Sequence, residues 1–89
     1  MKKKKNISKK ILTYTVIFEP AEEGGYVVSV PSLPGCLTQA DTFEEAVSMV
    51  KDAIKGYLAV LNEQKQELPK EKGNIIVTKV SVNSPLSYI

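Results

Sequence analysis

The chain has 89 residues, of which 43% are hydrophobic and 25% charged, with a formal charge of +2. That length allows one domain, and a domain so small buries only about 60% of its unfolded surface, so it gains from association. With no histidine and one cysteine, Ser–His and Cys–His dyads, histidine metal sites and an intramolecular disulfide are all excluded.

The charge is unevenly placed. Residues 1–10 carry Lys2, Lys3, Lys4, Lys5, Lys9 and Lys10 and no acid, a composition that predicts a disordered basic tail. The remainder carries six lysines against ten acids, a net charge of about −4. A basic tail on an acidic body is a poor surface for nucleic acid and a suitable one for a basic protein. All twelve basic residues are lysine. Without the bidentate arginine fork, sequence-specific reading of DNA by the folded part is not expected, although a genome poor in arginine codons gives the same composition. No apolar run approaches the roughly 20 residues that span a membrane. The lysine-rich start is not followed by a small-residue cleavage site, so a cytoplasmic protein is expected.

In chain order, residues 11–19 (ILTYTVIFE) alternate as a strand: Leu12, Tyr14, Val16 and Phe18 share one face, Ile11, Thr13, Thr15, Ile17 and Glu19 the other. Pro20 ends it, and Gly24-Gly25 allows a tight return. Residues 26–31 form a second strand with Tyr26, Val28 and Val30 on one face, so the pair reads as an antiparallel hairpin. In PSLPG, Pro34 and Gly35 suit the two central positions of a type II turn. Residues 36–40 make a short third strand, suited to a sheet edge.

The helix carries the strongest local signal. Thr42 and Glu45 form a capping box, and Glu44 and Glu45 sit at the positive end of the dipole. Phe43, Val47, Val50, Ile54, Tyr57 or Leu58, and Leu61 recur at three- and four-residue intervals, one apolar stripe over residues 43–66 that stops before Pro69. After a loop at 70–74, residues 75–82 (IIVTKVSV) read as a last strand, and 83–89 as a tail. The expected fold is α+β, in the order β-β-β-α-β. A right-handed crossover brings the last strand parallel to the first, giving a mixed four-stranded sheet of order 3-2-1-4 with one long helix on one face. The uncovered face then shows Ile11, Thr13, Thr15, Ile17, Val27, Ile75 and Val77, which predicts self-association as a homodimer or homotetramer through this face or the sheet edge. Coverage by the apolar C-terminal tail is the alternative.

Chemistry is scarce. No glycine pattern fits a phosphate cradle. Glu19, Glu22, Glu23 and Asp41 are the remaining route to an oxygen-ligand magnesium site, and a solvated acidic rim explains them more simply. Cys36 reads as a small buried hydrophobe. No catalytic, cofactor-binding or metal-binding residue is assigned, and no cofactor or enzymatic activity is expected.

The segments Tyr14 to Glu19 (YTVIFE), Glu22 to Tyr26 (EEGGY), Pro31 to Cys36 (PSLPGC) and Asp41 to Ala46 (DTFEEA), in this order and spacing, resemble the HicB antitoxin N-terminal domain over about residues 12–69. A few members of that family have glycine where Ala40 stands, a minor departure. The resemblance implies a partial ribonuclease H-like fold. It also implies a function: HicB proteins bind HicA, a small basic toxin that cuts messenger RNA, and cover its active surface. Many members carry a C-terminal DNA-binding domain. The chain ends at Ile89 without room for one, so direct DNA binding is not expected. Charge and exposure make Glu19, Glu22, Glu23 and Asp41 the candidate toxin contacts. Two other classes remain open: a stand-alone homo-oligomeric binding protein with an unknown ligand, and a degenerate nuclease, whose acidic cluster is missing from the strands.

Overall fold

The computed structural model describes residues 11–71 and 73–86. Strand β1 spans Ile17–Pro20, β2 Tyr26–Ser29 and β3 Leu37–Ala40, and helix α1 spans Phe43–Glu63. The strands form an antiparallel sheet in the order β1-β2-β3. Ile17 lies opposite Ser29, Phe18 opposite Val28, Val28 opposite Thr38 and Val27 opposite Gln39.

Cross-strand neighbours share a face. The rows Phe18–Val28–Thr38 and Pro20–Tyr26–Ala40 therefore face the helix, while Ile17–Ser29–Leu37 and Glu19–Val27–Gln39 face away from it. The core is small: Val28, Val30, Leu33, Cys36, Ala46 and Val50 are buried. Tyr14, Val16, Phe18, Tyr26, Ile54, Tyr57 and Leu58 pack around them. Most of the expected core faces of the first two strands and of the helix pack here, but Leu12, Val47 and Leu61 are not in this cluster and Ala46 and Ala53 are. The Phe43 ring is half-exposed yet lies 4.8 Å from Phe18 and 6.1 Å, edge-on, from Tyr26, stapling the start of the helix to the sheet.

Leu33 is a residue the pattern did not single out. It sits in the turn between β2 and β3, yet it is fully buried and is one of the two largest such side chains. Backbone bonds from Leu33 to Val30 O (2.9 Å), from Cys36 to Leu33 O (2.9 Å) and from Val30 to Cys36 O (3.2 Å) fold the loop inward. The Cys36–Leu33 bond closes the turn around Pro34 and Gly35, and Gly35 has φ +85°, as a type II turn requires. The Tyr57 hydroxyl, donating to Pro34 O at 2.9 Å, ties this turn to the helix.

Both helix ends are capped. The Thr42 hydroxyl accepts the Glu45 N–H at 3.1 Å, and the Glu45 carboxylate accepts the Asp41 N–H at 2.8 Å. At the other end, Lys65 N–H reaches Asn62 O and Gln66 N–H reaches Leu61 O, with Lys65 at φ +57°. This is the paired bonding of a Schellman motif, with lysine in the position that glycine usually fills.

The expected fourth strand is not formed. Residues 75–82 are exposed throughout and pair with nothing among the described residues. The observed fold is α+β with a purely antiparallel three-stranded sheet. The β-β-β-α-β order, the mixed sheet of order 3-2-1-4 and the likeness to a ribonuclease H fold that went with them all lack their last strand.

The first strand is also shorter than the expected 11–19. Continued past Ile17–Ser29, the register would set Thr15 opposite Pro31, which has no N–H to give. The Glu71 carboxylate takes the Thr15 N–H instead, and also accepts the hydroxyls of Thr15 (3.2 Å) and Ser32 (3.3 Å). Nearby, the Tyr14 hydroxyl donates to Pro69 O. The chain leaving the helix is therefore pinned across the end of the first hairpin by a side chain, and residues 73–86 continue outward. The expected basic tail at 1–10 and the end of the expected 83–89 tail lie outside the described residues.

Candidate partner-binding surface

The hairpin between β1 and β2 is held by Ala21 N–H on Gly25 O and Gly24 N–H on Ala21 O, both 3.0 Å. Glu22 and Glu23 occupy its tip and are exposed. Gly25, at φ +76°, lies so close to the next segment that a Cβ there would meet Ala40 O at 2.4 Å and Asp41 Cα at 3.2 Å. Only glycine allows this approach. It brings the hairpin tip against the turn that precedes the helix.

The result is an acidic rim. Glu23, Asp41 and Glu45 line one shallow depression with Tyr26, Gln39 and Met49. Glu22 and Glu23 line an adjoining one. Asp41 spends only its backbone N–H on the helix cap, so its carboxylate is left exposed on the rim. Glu19 stands apart, on the face away from the helix, opposite Val27 and exposed. Three of the four candidate contacts are thus gathered and one is not. Glu45 joins them as a residue first read only as a cap; its place in the first helical turn puts it beside Asp41.

An apolar strip adjoins the rim. Val27, Leu37 and Met49 line it with Thr38 and Gln39, and Leu37 is 66% exposed. Leu37 and Met49 were not among the candidates, although Leu37 stands on the same open face as Ile17. An apolar patch edged by charge is the anatomy of a protein-binding surface. Of the expected self-association residues, Ile17 and Val27 lie on the open face of the sheet and Thr15 is held by Glu71. Ile11 and Thr13 precede β1 and are exposed, and Ile75 and Val77 lie on the unpaired segment beyond the helix.

Cys36 is buried, and burial raises its thiol pKa above the ordinary value, which disfavours a reactive thiolate. Among the described residues no group of three or more histidine, cysteine, aspartate or glutamate side chains could hold a metal ion. None of the described helices is long and apolar enough to cross a membrane.

The family model described as HicB_like antitoxin of bacterial toxin-antitoxin system matches residues 14–82. The chain belongs to the HicB-like antitoxin family. A UPF0150 protein of Thermoplasma acidophilum is 42% identical over 65 residues, covering 73% of this chain and 94% of that one. Antitoxin HicB 1 of Photorhabdus laumondii is 45% identical over 60 residues, covering 67% of this chain and 39% of its own length. Antitoxin HicB of Escherichia coli K12 is 46% identical over 43 residues, or 48% of this chain and 31% of that protein. The matched region is thus most of the UPF0150 relative and less than half of these two relatives named as antitoxins. The HicB-like match runs through the sheet, the helix and the unpaired segment to its end at residue 82.

Proposed function

We propose that this HicB-like chain is the antitoxin of a type II toxin–antitoxin pair, and that it acts by binding a small basic HicA-type toxin and occluding the surface with which that toxin holds messenger RNA. The observation that carries this reading is the acidic rim, where Gly25 brings Glu22 and Glu23 against Asp41 and Glu45 beside the apolar strip of Leu37 and Met49. A protein that grips RNA must present a cationic surface. An acidic rim attracts such a surface over a distance, and the apolar strip supplies contact once the two meet. Inhibition then needs no chemistry from this chain; it is competition for one surface.

The test is co-expression with the adjacent reading frame. Growth of cells carrying that frame should stop without this chain and resume with it, and the two proteins should purify as one complex. A neighbour that is harmless alone, or a toxic neighbour that this chain neither binds nor silences, rules the reading out.

A further inference from the structure

Residues 73–86 have the composition of a buried strand and the environment of an exposed one. Between Ile75 and Val82 the run is IIVTKVSV, with a single charge at Lys79. Ile76 is 84% exposed, Val80 81% and Val82 84%. Chains that stay solvated are rich in charge and poor in β-branched residues; this one is the reverse, and it invites pairing with another strand. Its described hydrogen bonds are local, from Thr78 to Lys79 and between Ser84 and Leu86. No described backbone bond holds it to the rest of the chain.

A matching edge lies on the same molecule. The bond from Ala21 to Gly25 fixes which pairs of the first hairpin are bonded: two residues back it is Glu19 with Val27, then Ile17 with Ser29. Phe18 N–H and C=O therefore point outward, and no described backbone bond reaches the outer edge of β1. The residues leading into it keep strand alternation, with Tyr14, Val16 and Phe18 on the core. The run 75–82 would span about 26 Å as a strand, the length of the run 11–18. In the structure it does not turn back onto its own sheet: residues 75–82 are exposed and no described backbone bond joins them to β1. The HicB-like match extends through this run to residue 82, so the run belongs to the domain.

We propose that residues 75–82 are an exchange arm, which adds a strand to the outer β1 edge of a second copy of this chain while that copy's arm is received in return. A two-fold exchange uses arm and edge twice and leaves neither open, so it closes at a dimer. It also brings apolar arm side chains to the sheet that carries exposed Val27 and Leu37. The exchange does not depend on the toxin reading.

The test uses the full chain. Sedimentation should give twice the 9.8 kDa of one chain. The doubly substituted Ile76→Asp/Val80→Asp variant should sediment as a monomer with unchanged helical circular dichroism, since both side chains are more than four-fifths exposed in the single chain. In a mixed sample of labelled and unlabelled chains, isotope-filtered NOEs should connect arm protons of one chain to residues 16–18 of the other. A wild-type monomer, a dimer that survives both substitutions, or arm contacts found only within one chain would each overturn the proposal. Toxin binding is not read here, so these outcomes leave the antitoxin reading untouched.

Discussion

The carboxylate of Glu71 accepts the backbone N–H of Thr15, 56 residues earlier in the chain. A side chain thereby stands where the ladder of the first hairpin would otherwise continue, and it fixes where the post-helix segment crosses the sheet. The Glu71→Ala variant loses bonds to Thr15 and Ser32 together. A loss of about 1–3 kcal/mol is expected from stranding these partly buried donors. Urea denaturation measures it, and Glu71→Gln should recover part of the loss.

Tyr14 gives the chain an alkaline limit. Burial, and then the nearby Glu71 carboxylate, raise its pKa above the ordinary value of 10.0. The folded state therefore holds the phenol proton more tightly than the unfolded state. This contribution is fully present below pH 10 and is lost as pH rises through the folded pKa. Unfolding midpoints measured upward from pH 9 should fall more steeply for the wild type than for Tyr14→Phe, which is less stable at neutral pH through loss of the bond to Pro69. Parallel curves would remove Tyr14 from the explanation.

Lys65 offers a gain. It holds φ +57°, a left-handed conformation that costs a side-chain-bearing residue about 1 kcal/mol. Lys65→Gly keeps both Schellman bonds and relieves that cost, offset in part by glycine's greater freedom when unfolded. The denaturation midpoint should rise slightly, with the slope unchanged.

Gly25 and the rim are linked, so one substitution should disturb both. Gly25→Ala places a methyl group 2.4 Å from Ala40 O. A destabilisation of about 1–3 kcal/mol is expected from the left-handed backbone and the clash. A toxin that binds the rim should also bind this variant more weakly under conditions where the variant remains folded.

Charge reversal at the tip separates attraction from contact. Glu22→Lys/Glu23→Lys should slow association with a basic toxin by about tenfold at low salt and leave the dissociation rate nearly unchanged. Leu37→Ser should do the opposite, speeding dissociation. Stopped-flow measurements at two ionic strengths distinguish the two outcomes, and a salt-independent on-rate would remove the rim from the interface.

The elements legible in the sequence are those encoded locally. Thr42 with Glu45, the alternation at Tyr26, Val28 and Val30, and Pro34-Gly35 each specify their structure within a few residues. What was not legible depends on distance along the chain. A strand needs a neighbour as well as a pattern, and 75–82 has the pattern without a neighbour in its own sheet. Leu33 looked like punctuation because it stands between two prolines, and only the inward fold of that loop makes it core. In the rim, Glu22, Glu23 and Asp41 were visible as charge, whereas the contribution of Glu45 required knowing that the glycine approach sets the hairpin against the first helical turn.

Cys36 lies beneath the inward-folded loop with Leu33 and Val30, and the sequence contains no other thiol. A thiol-selective reagent should therefore label Cys36 mainly when that loop opens, which makes the natural sequence its own opening clock. Labelling rates, followed by mass spectrometry with and without a bound partner, would report how often the core breathes without any engineered probe.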